Sequence, residues 1–584
     1  MKKIIFIISF LMLAIWVSSC KDLLDQPPKD QLDTESFFNT AKDLEVAVHD
    51  LYAALPGDEI YRQEYKSDNI ASSNSISRVV GTRTVPTGKS SGGWSWNQLR
   101  KINYILANYD RVEDERAKEK YSGITKWFRA YFYYNKIKRF GDVPWHNKVL
   151  DVDDEALYKA RDPRKLVMDS VLADLDYAIE NIPAEKQLNK ITKYTALALK
   201  ARITLFEGTF RKYHGLGDYE KMLNEAVSAS KKLIDSNAYE LFTEGGKDKA
   251  YRKLFTLDTQ DETETILAVG YNKTNRTHSF SARLIKSTWD QFGLTKDLVN
   301  SYLMTDGSRF TDKPDYKTIG FYEEMQDRDP RLTQTTAGPH FKVLGEDSIE
   351  PVDLSAAKSG YRLIKGLGSK DLWNDNADIT DIILFRYAEL LLIYAEAKSE
   401  LGSITQEDLD ISINKLRDRV GMPHLILDEA NANPDPYQES MYRNIETGPN
   451  KGVILEIRRE RRVELVNEGH RWWDLMRWKE GKKVEHPMVG IYYPHLGAYD
   501  FSGDGEPDVY VYDGDDSGAP TTVTSKINIQ TRPLRDPITG EIGGTSGNII
   551  HELDGKFKEP RDYYYPIPIE ALELNDKLEQ NPGW

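Results

Sequence analysis

Residues 162–208 read DPRKLVMDSVLADLDYAIENIPAEKQLNKITKYTALALKARITLFEG, and the spacing of their apolar side chains decides the fold. Asp162 before Pro163 has the form of a helix N-cap followed by a first-turn proline. Val171, Leu175, Ala178, Ile179 and Ile182 recur at the period of one helix face, and Pro183 ends the run. Thr192 is placed to cap a second helix that presents Tyr194, Leu197, Ala198, Ala201 and Leu205 on one side, with Gly208 as its stop. A third helix carries Tyr219, Met222, Leu223, Ala226, Leu233 and Ile234.

Working outward, Ile383, Tyr387, Leu390, Tyr394, Ala397 and Leu401 alternate spacings of four and three, and Gly402 closes that helix. Small residues (Ala198, Ala201, Ala395, Ala397) stand where paired backbones can approach closely. Such pairs look like tetratricopeptide hairpins, but no strict 34-residue period repeats, so the repeats are degenerate. Long polar segments at 57–93, 240–290, 305–380 and 485–560 separate the helices and keep Tyr, Trp and Phe throughout. That composition is not the composition of disorder. The expectation is a mainly α chain: an α-α superhelix of tetratricopeptide-like pairs, mainly within 95–240 and 380–480, with long ordered loops and minor β-hairpins. Residues 35–584 form a single body.

The beginning of the chain reads as an export signal. Lys2 and Lys3 precede an apolar run from Ile4 to Val17, then Ser18, Ser19 and the only cysteine, Cys20. The run is shorter than the ~20 residues that span a bilayer. Val17 to Cys20 resembles a bacterial lipobox, which makes residues 1–19 a lipoprotein signal peptide and Cys20 the lipidated residue. Residues 20–34, with Pro27 and Pro28, form the tether. One cysteine excludes an internal disulfide and a cysteine-based metal site. A net charge of -15 over 584 residues argues against nucleic acid as a partner.

The familiar catalytic signatures are missing. No His-Glu-x-x-His occurs, the Gly81 to Ser90 stretch has the wrong glycine spacing for a phosphate loop, and no carboxylate pair stands out. The run Arg458-Arg459-Glu460-Arg461-Arg462 could suggest an anion site. It reads better as structure, with Glu456, Glu460 and Glu464 at i, i+4 spacing beside arginines that can pair with them. Asp500, Ser502, Asp504 and Asp508 fall at positions 1, 3, 5 and 9 of a calcium-type loop, with Gly505 at the turn. Position 12 is Val511 where a bidentate Glu is needed. The alternative is an Asp-Gly turn joining strands around Val509 and Val511, so calcium is a candidate structural ion and no other cofactor is expected.

The residues that bear on ligand binding are aromatic side chains in loops. Trp94 and Trp96 follow Gly92-Gly93, and Trp289 and Trp373 lie in other polar segments. A pyranose presents C–H faces that stack on an indole, leaving hydroxyls for polar neighbours such as Arg78, Arg83, Asn74, His278 and Arg276. Each tryptophan could instead plug its own loop, and Trp96, nearest the helix of Ile102 and Ile105, is the one expected deepest.

Ordered stretches along the chain resemble the SusD/RagB family of nutrient-binding lipoproteins. They include Cys20 to Asp25, Ser36-Phe37-Phe38, Arg129-Ala130-Tyr131-Phe132 leading to Phe140-Gly141-Asp142-Val143-Pro144, Ala201-Arg202, and Met304-Thr305-Asp306-Gly307. Arg328-Asp329-Pro330-Arg331, Tyr394-Ala395-Glu396-Ala397, Gly469 to Leu475 and the ending Gln580 to Trp584 continue the series. The resemblance implies a SusD-like fold and a cell-surface position on the outer membrane through the lipid anchor. It also implies a SusC-like TonB-dependent transporter as partner and an oligosaccharide or polysaccharide as non-catalytic cargo. It supplies no binding residue, because the motifs quoted are packing motifs. The rivals are a peptide-binding lid of the RagB type, an exported glycosidase, and a scaffold without a small ligand.

Overall fold

The computed structural model describes residues 37–73, 81–445, 447–552 and 555–584. The export signal, Cys20, the tether, Asn74 and Arg78 lie outside the described residues. The frame is carried by helices α1 (Ala41–His49), α2 (Asn97–Asn108), α3 (Glu115–Phe140), α4 (Arg164–Asn181), α5 (Lys193–His214) and α6 (Tyr219–Asp235). It continues in α7 (Tyr387–Glu400), α8 (Lys451–Glu464) and α9 (Arg471–Arg477). Successive helices stack as hairpins: α3 on α4, α4 on α5, α5 on α6. α7 then inserts against α6 and α8, and α9 lies on α5. No helix among the described residues is long and apolar enough to cross a membrane.

Local chemistry sets the helix ends. Thr192 caps α5 as expected, in a reciprocal box with Thr195. Pro163, not Asp162, is the N-cap of α4. Asp162 turns away, and its Oδ2 accepts the Trp145 N–H at 2.7 Å. Gly208 does not stop α5, which runs on to His214 and ends at Gly215 in the left-handed region. Gly208 is there for contact: a Cβ would meet Leu223 Cδ2 at 2.7 Å, so the bare backbone lets α6 lie close. Ala198, Ala201, Ala395 and Ala397 are fully buried, as close packing requires. Ile383 is not helical. Ile382–Arg386 forms strand β2, antiparallel to β1 (Thr265–Val269), and only then does α7 begin.

The arginine-rich run of α8 is structural, but its pairing is not the one its spacing suggests. Arg459 meets Glu456 within the helix; the other pairs reach across the molecule. Glu460 takes Arg331 at 2.5 Å and Arg417 at 3.2 Å. Glu464 takes Arg386 at 2.7 Å, Arg419 at 2.6 Å and Arg331 at 3.1 Å. Arg461 pairs with Asp474 and Arg462 with Asp68, at 2.8 and 3.1 Å. All of these groups are buried. Each charge has lost its water and is stable only because its partners replace that hydration. The motifs around Arg331, Glu396 and Asp474 therefore meet in one network that fixes α8 to α7, α9 and the loops.

The loop-rich remainder carries small sheets: β3 (Met488–Tyr493) pairs with β7 (Gly547–Glu552), and β4 (Gly497–Tyr499), β5 (Val509–Tyr512) and β6 (Ser525–Asn528) form a second. The last described residues return to the first third. The Tyr565 N–H bonds Arg139 O at 2.7 Å, and Asn581 Nδ2 bonds Phe140 O at 3.0 Å. The Tyr564 ring lies over Gly141, where a Cβ would meet it at 2.9 Å.

Candidate functional site

The four loop tryptophans part company. Trp94 is sealed, packed edge-on against Phe140 at 4.8 Å and against Trp96 at 5.4 Å. Trp96 is half-buried against Phe132, Tyr133 and His146. The expected order of depth is thus reversed, because Trp94 points into the end of α3 while Trp96 lies along its flank. Lys136 of α3 clamps this loop by donating to Gly93 O and Ser95 O, both at 2.7 Å. Trp373 is half-buried against the core, and its indole N–H is used on Gly368 O at 3.0 Å.

Trp289 differs. It is half-buried like Trp96 and Trp373, but it is not packed against the hydrophobic core, and its indole N–H has no partner among the described residues. A short helix, Phe280–Ile285, delivers Arg283 and then Lys286 toward it. The Arg283 guanidinium and the Lys286 ammonium each lie 4.8 Å from its ring. Arg283 is held by Asp290 at 2.8 Å, and Lys286 is ion-paired to Asp375 in the loop of Trp373. Below, Ser73 Oγ donates to Trp289 O at 2.6 Å and Gln291 Nε2 donates to Ser355 O at 2.7 Å. The arrangement is a flat ring with two cations over it and their carboxylate partners beside them, donors and acceptors that a sugar hydroxyl pattern can meet. The sequence reading found Trp289 but missed Arg283, Lys286, Asp290 and Asp375. The first two sit three residues apart and three before the ring, which was a visible signal; Asp375 had none.

The other polar candidates do structural work. His278 is buried, with Nε2 donating to Thr380 O at 2.8 Å and Nδ1 accepting from the Phe280 N–H at 3.2 Å. Both ring nitrogens are occupied within the protein. Arg83 is ion-paired to Asp562 at 2.8 Å and stacks over Tyr565 and Trp584, pinning the C-terminal segment.

The calcium candidates are engaged by the loop's own donors. Asp500 accepts the N–H groups of Gly503 and Gly505 at 2.6 and 2.8 Å. Asp508 accepts those of Phe501 and Ser502 at 2.8 and 2.7 Å, and the Ser502 hydroxyl at 3.1 Å. Asp504 accepts from Glu506 N at 2.9 Å. The loop's own donors engage the carboxylates, and no group of three acidic, His or Cys side chains that could hold a metal forms among the described residues. Burial raises the Asp508 carboxyl above its ordinary value. The loop is the Asp-Gly turn between β4 and β5.

Comparison with known proteins follows the geometry. A family model described as "SusD family" matches residues 258–584, more than half of the chain. A second, "Starch-binding associating with outer membrane", matches residues 82–197. SusD-like protein P38 of Formosa agariphila is 25% identical over 499 residues, 81% of this chain and 91% of that one. SusD-like protein P2 of the same organism is 25% identical over 505 residues, covering 82% and 92%. Among solved structures, a SusD-like protein from Bacteroides fragilis superposes with a TM-score of 0.69 at 21% identity, covering 96% of this chain and 100% of that chain. A laminarin-binding SusD-like protein gives a TM-score of 0.53 at 17% identity, covering 95% and 100%. At these identities the superpositions establish the fold.

Proposed function

Since the chain belongs to the SusD family, we propose that it captures a polysaccharide or its oligosaccharides at the cell surface, without chemistry, and passes them to a SusC-like TonB-dependent transporter. In this reading Cys20 is lipidated and anchors the chain to the outer membrane, facing outward. Trp289 forms the stacking surface, and Arg283, Lys286, Asp290 and Asp375 read the hydroxyls around it. The observation that carries the reading is Trp289 itself, an indole left outside the core with charged groups fixed 4.8 Å from its ring centre. The laminarin-binding relative by fold supports a glycan as the class of cargo. One stacked ring gives modest affinity, and tethering beside a transporter raises the effective concentration.

Affinity electrophoresis of the protein through gels containing soluble polysaccharides tests this. A retarding glycan is expected, Trp289→Ala is expected to weaken retardation at least about tenfold, a change of about 1.4 kcal/mol, and no shortened products should accumulate. Retention by peptides but by no glycan would overturn the reading in favour of a peptide-binding lid, and released sugars in favour of a glycosidase.

A further inference from the structure

A second site lies away from Trp289, in a cleft of about 460 Å³ between α3, α5 and α9. That is within the size range of small-ligand sites. Lys138 of α3 reaches into it, 4.6 Å from the Tyr134 ring and 4.8 Å from the Trp473 ring. No carboxylate or hydrogen-bond acceptor meets its ammonium among the described residues. Lys138 is half-buried, and the protein treats its fully buried lysines differently. Lys296 has Glu324, Lys365 has Glu468, Lys483 has Asp297, Lys200 has Asp176, and Lys136 has two carbonyls.

The neighbouring charges do not answer Lys138 either. Arg202, across the cleft, is taken by Glu389 at 2.5 Å. Arg461 and Arg477 are taken by Asp474, at 2.8 and 2.9 Å. Glu468 is taken by Lys365 and Arg386, both at 2.7 Å, and Glu59 lines the cleft without reaching the ammonium. Burial, with Arg202 and Arg461 nearby, holds His470 well below its ordinary range and therefore neutral. Burial, with Arg202 and Arg139 beside it, pushes the Lys138 ammonium down to about 7. A chain of net charge -15 thus keeps a lysine with aromatic neighbours and no carboxylate partner inside a cleft. Beside it stands the half-buried Trp473, with Tyr565 tilted 32° to it at 6.3 Å. The Trp473 indole N–H has no partner among the described residues.

We propose that this cleft binds an acidic sugar unit, with its carboxylate or sulfate against Lys138 and a pyranose face along Trp473. Charge without a partner costs stability, and an anion that enters supplies the missing partner. The aromatic wall beside the ammonium selects a sugar over a free ion. The inference goes beyond glycan capture at Trp289 and stands or falls separately from it.

The test is titration calorimetry of the full chain carrying Trp289→Ala, so that the surface platform does not contribute, with glucuronic acid, galactose 6-sulfate, glucose and sodium sulfate as probes. One or both acidic sugars should bind at least about tenfold more tightly than glucose and than sulfate, and which of the two binds better identifies the anion. Lys138→Gln should abolish the preference and raise the melting midpoint, since it removes an unpaired charge. Lys138→Arg should keep the preference. Equal binding of glucose, equal binding of inorganic sulfate, or unchanged binding by Lys138→Gln would each overturn the proposal. So would a lowered midpoint for Lys138→Gln, which would make the ammonium a structural group.

Discussion

At the scale of single residues, two tryptophans separated by one serine have different fates, and the reason is what lies opposite. Trp94 faces Phe140 at the end of α3, and Trp96 faces the flank of the same helix. Nothing in Gly92-Gly93-Trp94-Ser95-Trp96 specifies that partner, so the depth of each ring was not legible. Trp94→Ala should therefore destabilise the fold by about 3–5 kcal/mol, as buried tryptophan truncations do. Trp289→Ala should leave the midpoint nearly unchanged, because the core does not hold that ring. Chemical denaturation of the two variants checks the contrast; similar losses would mean that Trp289 is a structural plug. Gly208 carries the same lesson. A glycine inside a helical pattern looks like a stop, and only the presence of Leu223 shows it to be a contact.

At the scale of elements, helix existence was legible and helix partnership was not. Pro183 and Thr192 fixed the end of α4 and the start of α5 because caps and breakers are local, whereas Gly208 misplaced the end of α5. Ile383 to Arg386 fitted the same helical spacing yet pairs with β1, since strand pairing is decided by a segment more than 100 residues earlier. The charges of α8 show the limit most plainly. Spacing suggested pairs along the helix; burial instead brought Arg331, Arg386 and Arg419 to Glu464. Burial opposes the ionised form of Glu464, but these three guanidinium groups hold its carboxyl well below the usual range. Glu464→Gln should consequently cost about 3–5 kcal/mol, the loss seen when one member of a buried ionic cluster is neutralised. A denaturant midpoint within error of the parent would show the cluster to be dispensable.

At the scale of the whole molecule, the helical body and its family were legible from ordered motifs, whereas the binding surface was only partly so. Those motifs build the ionic centre, and the candidate site sits on loops whose neighbours come from distant segments. Stability should respond to acid in a defined direction. Burial pushes His146, His214 and His551 down to about 4. In the unfolded chain the same groups take up protons at pH ~6.5. The unfolded state therefore binds more protons between these values, and stability falls as pH drops through that window. Glu464, Glu468 and Asp474 add a second loss at lower pH: their carboxyls are depressed, so their contribution is present above about pH 4.3 and disappears as pH falls below it. Thermal melts from pH 7.5 downward should show a steadily falling midpoint. A flat profile to pH 4 would show that these groups titrate alike in both states.

The hold that residues 561–584 keep on the end of α3 has a consequence for how the chain comes into being. The hairpins of α3 to α6 can assemble as soon as they are made, because their partners are adjacent in sequence. The contacts of Tyr564, Tyr565 and Asn581 with Arg139, Phe140 and Gly141 wait until more than 400 further residues have emerged. A chain still leaving the ribosome is an unbuckled belt, fastened only when its tail arrives.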